Sequence, residues 1–110
     1  MSVMTVQDQT AVKPLLELLQ YQDNSIVSRV LLKNKGGTVT LFAFDVGEGL
    51  SEHTAPFDAL VVVTDGEAEI EISGESFQVR AGETIILPAN QPHAVKAASK
   101  FKMLLIMIRA

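Results

Sequence analysis

Apolar and polar residues alternate along most of this chain, and short turn signals interrupt the alternation at close intervals. The clearest case is Glu67–Ser73, where three glutamates occupy one face and one alanine and two isoleucines occupy the other. Alternation with a period of two predicts β-strands with one buried face. The predicted strands are Ser25–Lys33, Thr38–Val46, Asp58–Thr64, Glu67–Ser73, Glu75–Arg80, Thr84–Leu87, His93–Ala97 and Phe101–Arg109.

Two dipeptides between these strands predict tight hairpins, because both contain residues that tolerate a positive φ. A two-residue turn at Asp65-Gly66 would pair Val63 with Ala68. A two-residue turn at Ser73-Gly74 would pair Ala68 with Val79. Both registers place the same apolar set on one face, so the two turns are mutually consistent.

We predict that this face points into the barrel, because it carries more apolar residues than the opposite face of the same strands. Alternation carried back along the chain from Ala59 adds two more positions to it, one of which is a histidine. The predicted inner set is His53, Ala55, Ala59, Val61, Val63, Ile70, Phe77 and Val79. Short strands joined by tight turns favour a closed barrel or a sandwich.

The first 24 residues have a different pattern, with leucines at helical spacing between Leu15 and Leu19. Pro14 lies near the start of this stretch, and Thr10 is a candidate cap. We expect a short helix near residues 12–20 that packs on an edge of the barrel; a partner-binding helix is the alternative. The predicted organisation is one domain, with an N-terminal arm over residues 1–24 and the β-barrel over residues 25–110.

Composition restricts the possible functions. A chain of 110 residues suits one domain with one core. It has no cysteine, so thiolate metal sites and cysteine nucleophiles are excluded. The formal net charge of -4 argues against a nucleic-acid partner. No stretch reaches transmembrane length and no secretory signal is evident, so we expect no membrane association and a cytoplasmic protein.

Two segments have spacings that suggest a metal site. In the first, Gly47 is followed after five residues by His53, then by Ala55 and Ala59, and finally by Gly66. The second places five residues between Gly82 and Pro88, with Asn90 and His93 following. These spacings resemble the two motifs of the cupin superfamily. The resemblance implies an all-β fold: a single cupin-type antiparallel β-barrel, also called a double-stranded β-helix or jelly roll.

The resemblance also implies which positions would hold a metal, because cupins bind it with three histidines and a glutamate. Here His53 and His93 match two of the ligands, whereas Ala55 and Ala59 occupy the other two positions and have no donor atom. Catalytic metal centres usually keep three protein ligands. We therefore expect either no cofactor or a weakly bound divalent metal at His53 and His93.

Two functions remain open for such a chain. The first is a binding protein that holds a small molecule in the barrel cavity, with a ligand-binding set of His53, His93, Ala55, Phe57, Ala59 and Val61. Here the two imidazoles would meet an anionic or hydroxylated ligand or move a proton near neutral pH. The second is a metal-dependent enzyme of the oxygenase or isomerase type that uses a reduced site at His53 and His93. Ordinary packing of these side chains in a barrel core is the alternative to both.

Apolar residues on both faces of two strands predict a partner. Leu60 and Val62 lie opposite the inner face in the proposed register, and residues 103–108 are apolar on both sides. Exposed apolar strand surface forfeits about 25 cal/mol per Å² and favours aggregation. We therefore expect a homodimer, in which the same patch is covered on both subunits.

Overall fold

The computed structural model describes residues 10–109, and almost all of its regular structure is β-strand. Its strands follow one another along the chain with short connections. Their bounds are β1 Ile26–Asn34, β2 Gly37–Phe44, β3 Gly49–His53, β4 Asp58–Ile72, β5 Glu75–Arg80, β6 Thr84–Leu87, β7 His93–Lys96 and β8 Phe101–Ile108. The predicted all-β fold is confirmed.

All the strand pairs are antiparallel, and they form two sheets that share β4. The first sheet has the order β1-β2-β8-β4-β6 and uses the beginning of β4. The second has the order β5-β4-β7-β3 and uses the end of β4. The shared strand joins the two sheets into one curled barrel, as the jelly-roll prediction requires.

The predicted hairpin at Asp65-Gly66 is wrong, because β4 continues through it from Asp58 to Ile72. The two halves of β4 pair with different strands rather than with each other. The pairing of β4 with β8 shifts between Val63 and Asp65, so one extra residue reverses the alternation there. This bulge keeps Val63 and Ala68 both buried, which is the same inner face that the hairpin would have produced.

Gly66, next to the bulge in β4, allows two backbone segments to approach closely. Gly66 has φ of +70°, and a Cβ at that position would overlap the backbone carbonyl of Lys100 on the neighbouring strand. Only glycine combines a left-handed backbone with so close an approach. The Asp65-Gly66 pair therefore lets β4 pass close to the residue that precedes β8, and it does not reverse the chain.

The second predicted turn is confirmed. Ser73 and Gly74 join β4 to β5 with positive φ at both residues. The observed register pairs Ala68 with Val79, and Ile70 with Phe77, as the two-residue turn requires.

The predicted inner face forms the core between the sheets. Its most deeply buried members come from β2, β4 and β8, and the rings of Phe44 and Phe101 stack there with centroids 4.5 Å apart. The fully buried large side chains are Phe44, Phe101, Ile70, Met103, Val61 and Val63. Six predicted inner residues, Ala59, Val61, Val63, Ile70, Phe77 and Val79, belong to this core or pack against it.

The predicted helix near residues 12–20 is wrong, since this stretch contains only a three-residue 3-10 turn, Leu15–Glu17. Two backbone carbonyls of the stretch are taken by side chains of the barrel. Lys102 Nζ donates to the carbonyl of Leu16 at 2.8 Å, and Arg29 Nη1 donates to that of Leu18 at 3.0 Å. These tertiary contacts replace the hydrogen bonds of a helix too short to be stable alone.

The arm nevertheless packs on the barrel as expected. Leu19 is buried against Leu41 and Ala43 on the outer face of the first sheet. Tyr21 anchors the arm, because its hydroxyl donates to Asp65 Oδ2 at 2.6 Å. Burial is the main cause that raises the pKa of the Tyr21 phenol, and this hydrogen bond and the charge of Asp65 add to it. The hydroxyl therefore stays protonated and remains a donor. Within residues 10–109 no helix is long and apolar enough to span a membrane.

Candidate functional site

The two histidines of the chain meet at one end of the barrel. His53 ends β3 and His93 begins β7, and the two residues are direct partners across these antiparallel strands. Their Nε2 atoms lie 3.1 Å apart, and their rings meet edge to face at an angle of 69°. We predicted from the sequence that the two imidazoles come together inside the barrel; they do come together, but His53 is exposed.

The sequence argument for the position of His53 was only partly correct. The chain from Thr54 to Phe57 is not a strand, so period-two alternation does not run continuously from Ala59 back to His53. His53 reaches the site instead through the pairing of β3 with β7. As a result its side chain is exposed at the mouth of the barrel, whereas His93 is buried.

The loop that precedes His93 is fixed by backbone hydrogen bonds to both neighbouring segments. Asn90 donates its N–H to the carbonyl of Ala55 at 2.7 Å, and Ser73 donates to the carbonyl of Pro92 at 2.8 Å. Asn90 has φ of +64°, a left-handed conformation that asparagine tolerates better than most residues. This explains why asparagine can occupy the position where the motif has glycine.

The protons of the pair can be counted from its hydrogen bonds. The Nδ1 atom of His53 lies 2.8 Å from the carbonyl of Ser51, and the Nδ1 of His93 lies 3.2 Å from the carbonyl of Gln91. A carbonyl can only accept, so each Nδ1 must carry a proton to make its bond. The contact between the Nε2 atoms then needs a third proton. Two neutral imidazoles carry only two protons, so the singly protonated pair satisfies all three contacts.

Burial lowers the pKa of His93; its hydrogen bond to Gln91 acts in the opposite direction, and the charge of His53 adds to the lowering. The neutral form of His93 is therefore favoured, and its Nε2 atom can accept in the contact with His53. A proton taken up by this pair would be shared between the two Nε2 atoms.

The other predicted site residues divide between the mouth and the core. Ala55 is half-buried in the segment between β3 and β4, and Phe57 is half-buried beside it. Ala59 and Val61 lie deeper, in the packed core.

One contact of a predicted site residue, Phe57, was not anticipated. The guanidinium carbon of Arg109 lies 5.4 Å from the ring centroid of Phe57, within the range of a cation–π contact. Arg109 follows β8, and its backbone N–H donates to the carbonyl of Gly36. The sequence carries no local signal for this contact, because it depends on the register of β8 with β2 and β4.

The donor set does not fit the four-ligand metal site of the motif. Within residues 10–109, no group of three or more histidine, cysteine, aspartate or glutamate side chains is placed to hold one ion. Alanines occupy positions 55 and 59. The spacing of the two Nε2 atoms is nevertheless suitable for adjacent ligands of one ion, since two nitrogens bound at about 2.0–2.1 Å in a tetrahedral arrangement are about 3.4 Å apart.

The sequence profile of the Cupin domain family matches residues 40–109 of the chain. The chain belongs to the cupin superfamily. The match begins within β2 and ends after β8, so it includes both histidines and the complete shared strand β4.

Solved structures extend the similarity beyond the segment that the family profile matches. A conserved protein of unknown function from Streptococcus pyogenes is 33% identical, with a TM-score of 0.89 over 100% of this chain and 96% of its own. A cupin 2 conserved barrel domain protein from Leptotrichia buccalis is 46% identical, with a TM-score of 0.84 over 86% of this chain and 46% of its own.

Among curated proteins, the polyketide synthase CurC of Streptomyces cyaneus is 29% identical over 70 residues. The matched segment is 63% of this chain and 46% of that protein. The chain thus spans less than half the length of this curated relative.

Proposed function

We propose that this cupin binds a small organic molecule at the barrel mouth, with His53 and His93 as the polar end of the site. The observation that supports this is the 3.1 Å contact between the two Nε2 atoms, combined with carbonyl partners at both Nδ1 atoms. This arrangement would let the two imidazoles share a proton that the pair takes up or passes to a ligand.

The chemistry of the pair selects the class of ligand. All ring nitrogens of the pair are already engaged, so a carboxylate or an acidic hydroxyl would bind by replacing one imidazole as the partner of the other Nε2 atom. Hydrogen bonds to charged groups are the stronger ones. The half-buried Ala55 and Phe57 beside it suit an apolar or aromatic body. A largely apolar lining with a few convergent polar groups is the usual form of a small-molecule site.

Calorimetric titration with a small panel tests the proposal. The panel contains salicylate as a hydroxylated aromatic acid, citrate as a non-aromatic acid and benzyl alcohol as a neutral aromatic control. A hydroxylated aromatic acid is also a reasonable probe because a curated relative carries the name of a polyketide synthase. We expect saturable binding of the acids, with salicylate preferred and benzyl alcohol weakest.

The variants for this test are His53→Gln and His93→Gln, which keep a polar side chain and remove the charge. Lys100→Gln removes a cation near the opposite end of the barrel, beside Gly66, and is the matched control. Both histidine variants should lose binding by about tenfold or more, as expected for the loss of a charge-assisted hydrogen bond. Equal binding by the histidine variants and the control would contradict the proposal, as would no binding of any acid.

A metal-dependent activity of the oxygenase or isomerase type is the second candidate, and the spacing of the Nε2 atoms favours it. If a metal binds there, His53 and His93 would hold it, and the metal would supply Lewis-acid or redox chemistry. Elemental analysis of protein purified without an affinity tag distinguishes the two functions. Stoichiometric metal would support the enzyme, whereas metal-free protein that binds the organic acids would support the binding protein.

A further inference from the structure

An open cleft of about 280 Å³ lies between β5 and β6. Both strands pair with β4, β5 with its second half and β6 with its first half. In the second sheet, β4 separates β5 from β7, the strand that begins with His93. The cleft is therefore distinct from the histidine site. Its lining residues are Phe77, Gln78, Val79, Glu83, Thr84 and Ile85.

Three of the lining side chains form an apolar floor. Each is the direct cross-strand partner of a fully buried residue of β4, so it projects to the same side as the core. They are Phe77, Val79 and Ile85, opposite Ile70, Ala68 and Val61 respectively. Val79 is itself buried, whereas Phe77 and Ile85 are only half-buried against the core. Within residues 10–109, nothing covers the remaining apolar surface of these two side chains, so a ligand could bury it.

The rim of the cleft holds a fixed carboxylate. Among the six lining residues, Glu83 alone carries a charge. Its Oε1 accepts from the N–H of Arg80 at 2.8 Å, while its own N–H donates to the carbonyl of Arg80, also at 2.8 Å. In the described part of the chain, no hydrogen bond or ion pair engages the second oxygen, Oε2. An acceptor of a charged group is therefore left over at the rim.

The surrounding charges favour a cationic ligand. Arg80 is the cation nearest to Glu83 in the sequence, but its guanidinium pairs with another carboxylate, since its Nε lies 3.6 Å from Oε1 of Glu67. The charge of Glu83 is thus not offset by its neighbour. The formal net charge of -4 adds a longer-range attraction for cations. An anion of the kind proposed for the histidine pair would be disfavoured here.

The open edges of the two strands add further acceptors. Every second residue of an edge strand directs its backbone N–H and C=O away from its partner. The N–H of Arg80 bonds to the Glu83 side chain and not to β4, which assigns Arg80, and with it Gln78, to the outward set of β5. The carbonyl of Glu83 bonds to Val63 of β4, which leaves Thr84 in the outward set of β6. The carbonyls of Gln78 and Thr84 can therefore accept from an ammonium group, which has three N–H donors.

From these observations we propose that the cleft between β5 and β6 is a second ligand site, which binds a small primary amine with an aromatic ring. Its volume is near the lower limit for small-molecule sites, so one ring with a short chain suits it. The ring packs on the apolar floor, where pairing with the Phe77 ring is favoured beyond simple burial. The ammonium group binds Oε2 of Glu83 and the edge carbonyls.

Titration of isotope-labelled protein with phenethylamine, followed by amide chemical shifts, tests this proposal. Two analogues separate the contributions: phenethyl alcohol keeps the ring and lacks the charge, and ethylamine keeps the charge and lacks the ring. We expect saturable shifts at residues 77–79 and 83–85, with the amide of His93 unchanged. Each analogue should bind at least about tenfold more weakly, because it lacks either the charge-assisted hydrogen bond or the buried ring.

Glu83→Gln removes the charge and keeps an oxygen that can accept from the N–H of Arg80, so the rim should keep its conformation. Glu75→Gln, at the exposed start of β5 and outside the lining, is the matched control. Glu83→Gln should weaken phenethylamine binding by about tenfold or more, whereas the control should leave it unchanged. Saturating salicylate should not displace the amine, because the two sites are separate.

Four outcomes would overturn the proposal. Phenethylamine might fail to saturate any site, or its shifts might centre on His93. Phenethyl alcohol might bind as tightly as the amine, which would remove the role of the charge. Equal affinity of Glu83→Gln and Glu75→Gln for phenethylamine would show that Glu83 does not hold the ammonium group.

Discussion

His53 and His93 lie forty positions apart in the sequence, and their Nε2 atoms are 3.1 Å apart in the fold. This contact depends on the pairing of β3 with β7, which makes the two residues direct cross-strand partners. Because both Nδ1 atoms already donate to carbonyls, the contact is fully satisfied only when the pair shares a third proton.

The free energy of unfolding should depend on pH through His93. Its pKa in the folded protein lies below the ordinary value of 6.5, mainly because of burial. Between that lowered pKa and 6.5, unfolded His93 binds a proton that the folded residue does not, so unfolding takes up protons. Stability should be greatest above pH 6.5 and should decrease as pH falls through this window.

Urea denaturation at a series of pH values measures this effect. Below pH 6.5, and above the more acidic range where protonation of carboxylates dominates, the free energy of unfolding of His93→Gln should change less with pH than that of the unsubstituted protein. Lys96→Gln, at the end of the same strand, is the control and should keep the slope of the unsubstituted protein. Profiles that are identical for the histidine variant and the control would show that His93 is not responsible.

Divalent metal binding should be strengthened by the combined substitutions Ala55→His and Ala59→Glu. These restore the two donor side chains that the motif lacks, and Ala59 already faces the core below the mouth. We expect metal affinity to increase by at least about tenfold, since even the loss of a residue that only hydrogen-bonds to a metal ligand changes affinity by about that factor. Calorimetric titration with Zn²⁺ or Mn²⁺ measures it.

The control for that prediction is the same double variant with His93→Ala added. It should lose the gain, because one of the native donors is then missing. If the double variant binds no more tightly than the unsubstituted chain, positions 55 and 59 do not point toward the histidine pair.

Gly66→Ala should destabilise the barrel more than the same substitution at a turn glycine. A Cβ at Gly66 would collide with the carbonyl of Lys100, whereas one at Gly74 would have no neighbour within 4 Å. Both residues have positive φ, which alone costs an alanine about 1–2 kcal/mol. We expect about that loss for Gly74→Ala and at least about 3 kcal/mol for Gly66→Ala, measured by urea denaturation. Equal losses of stability in the two variants would mean that the backbone around Gly66 shifts to accept the methyl group.

The hydroxyl of Tyr21 should contribute to holding the arm on the barrel. It donates to the Asp65 carboxylate at 2.6 Å in a partly buried position, and Tyr21→Phe removes only this bond. The expected loss is about 1–2 kcal/mol, below the upper range for hydrogen bonds to charged groups because the site is partly exposed. Ser25→Ala, which removes an exposed hydroxyl bond to the Asp23 carbonyl, is the control and should change stability little. Hydrogen exchange of the arm's amides would show whether the loss is local.

The local features of the fold were predictable from the sequence. Alternating side chains and the Ser73-Gly74 turn determine strands, their inner faces and one register, since each depends on neighbouring residues or on the two-residue turn between them. The resemblance of the glycines, Pro88 and the two histidines to the cupin motifs likewise implied the barrel and a shared site at His53 and His93.

Contacts between distant segments were decided only by the tertiary structure. Asp65-Gly66 has the composition of a hairpin turn. Pairing with β8 and β6 instead keeps the chain extended, so the dipeptide lies inside β4. The leucines of the arm have helical spacing, but Lys102 and Arg29 take the carbonyls of Leu16 and Leu18, and only a 3-10 turn remains. The sharing of a proton between His53 and His93, and the position of Arg109 over Phe57, depend on angles and distances across strands. A sequence pattern specifies which face a side chain occupies, whereas these contacts depend on how the faces are brought together.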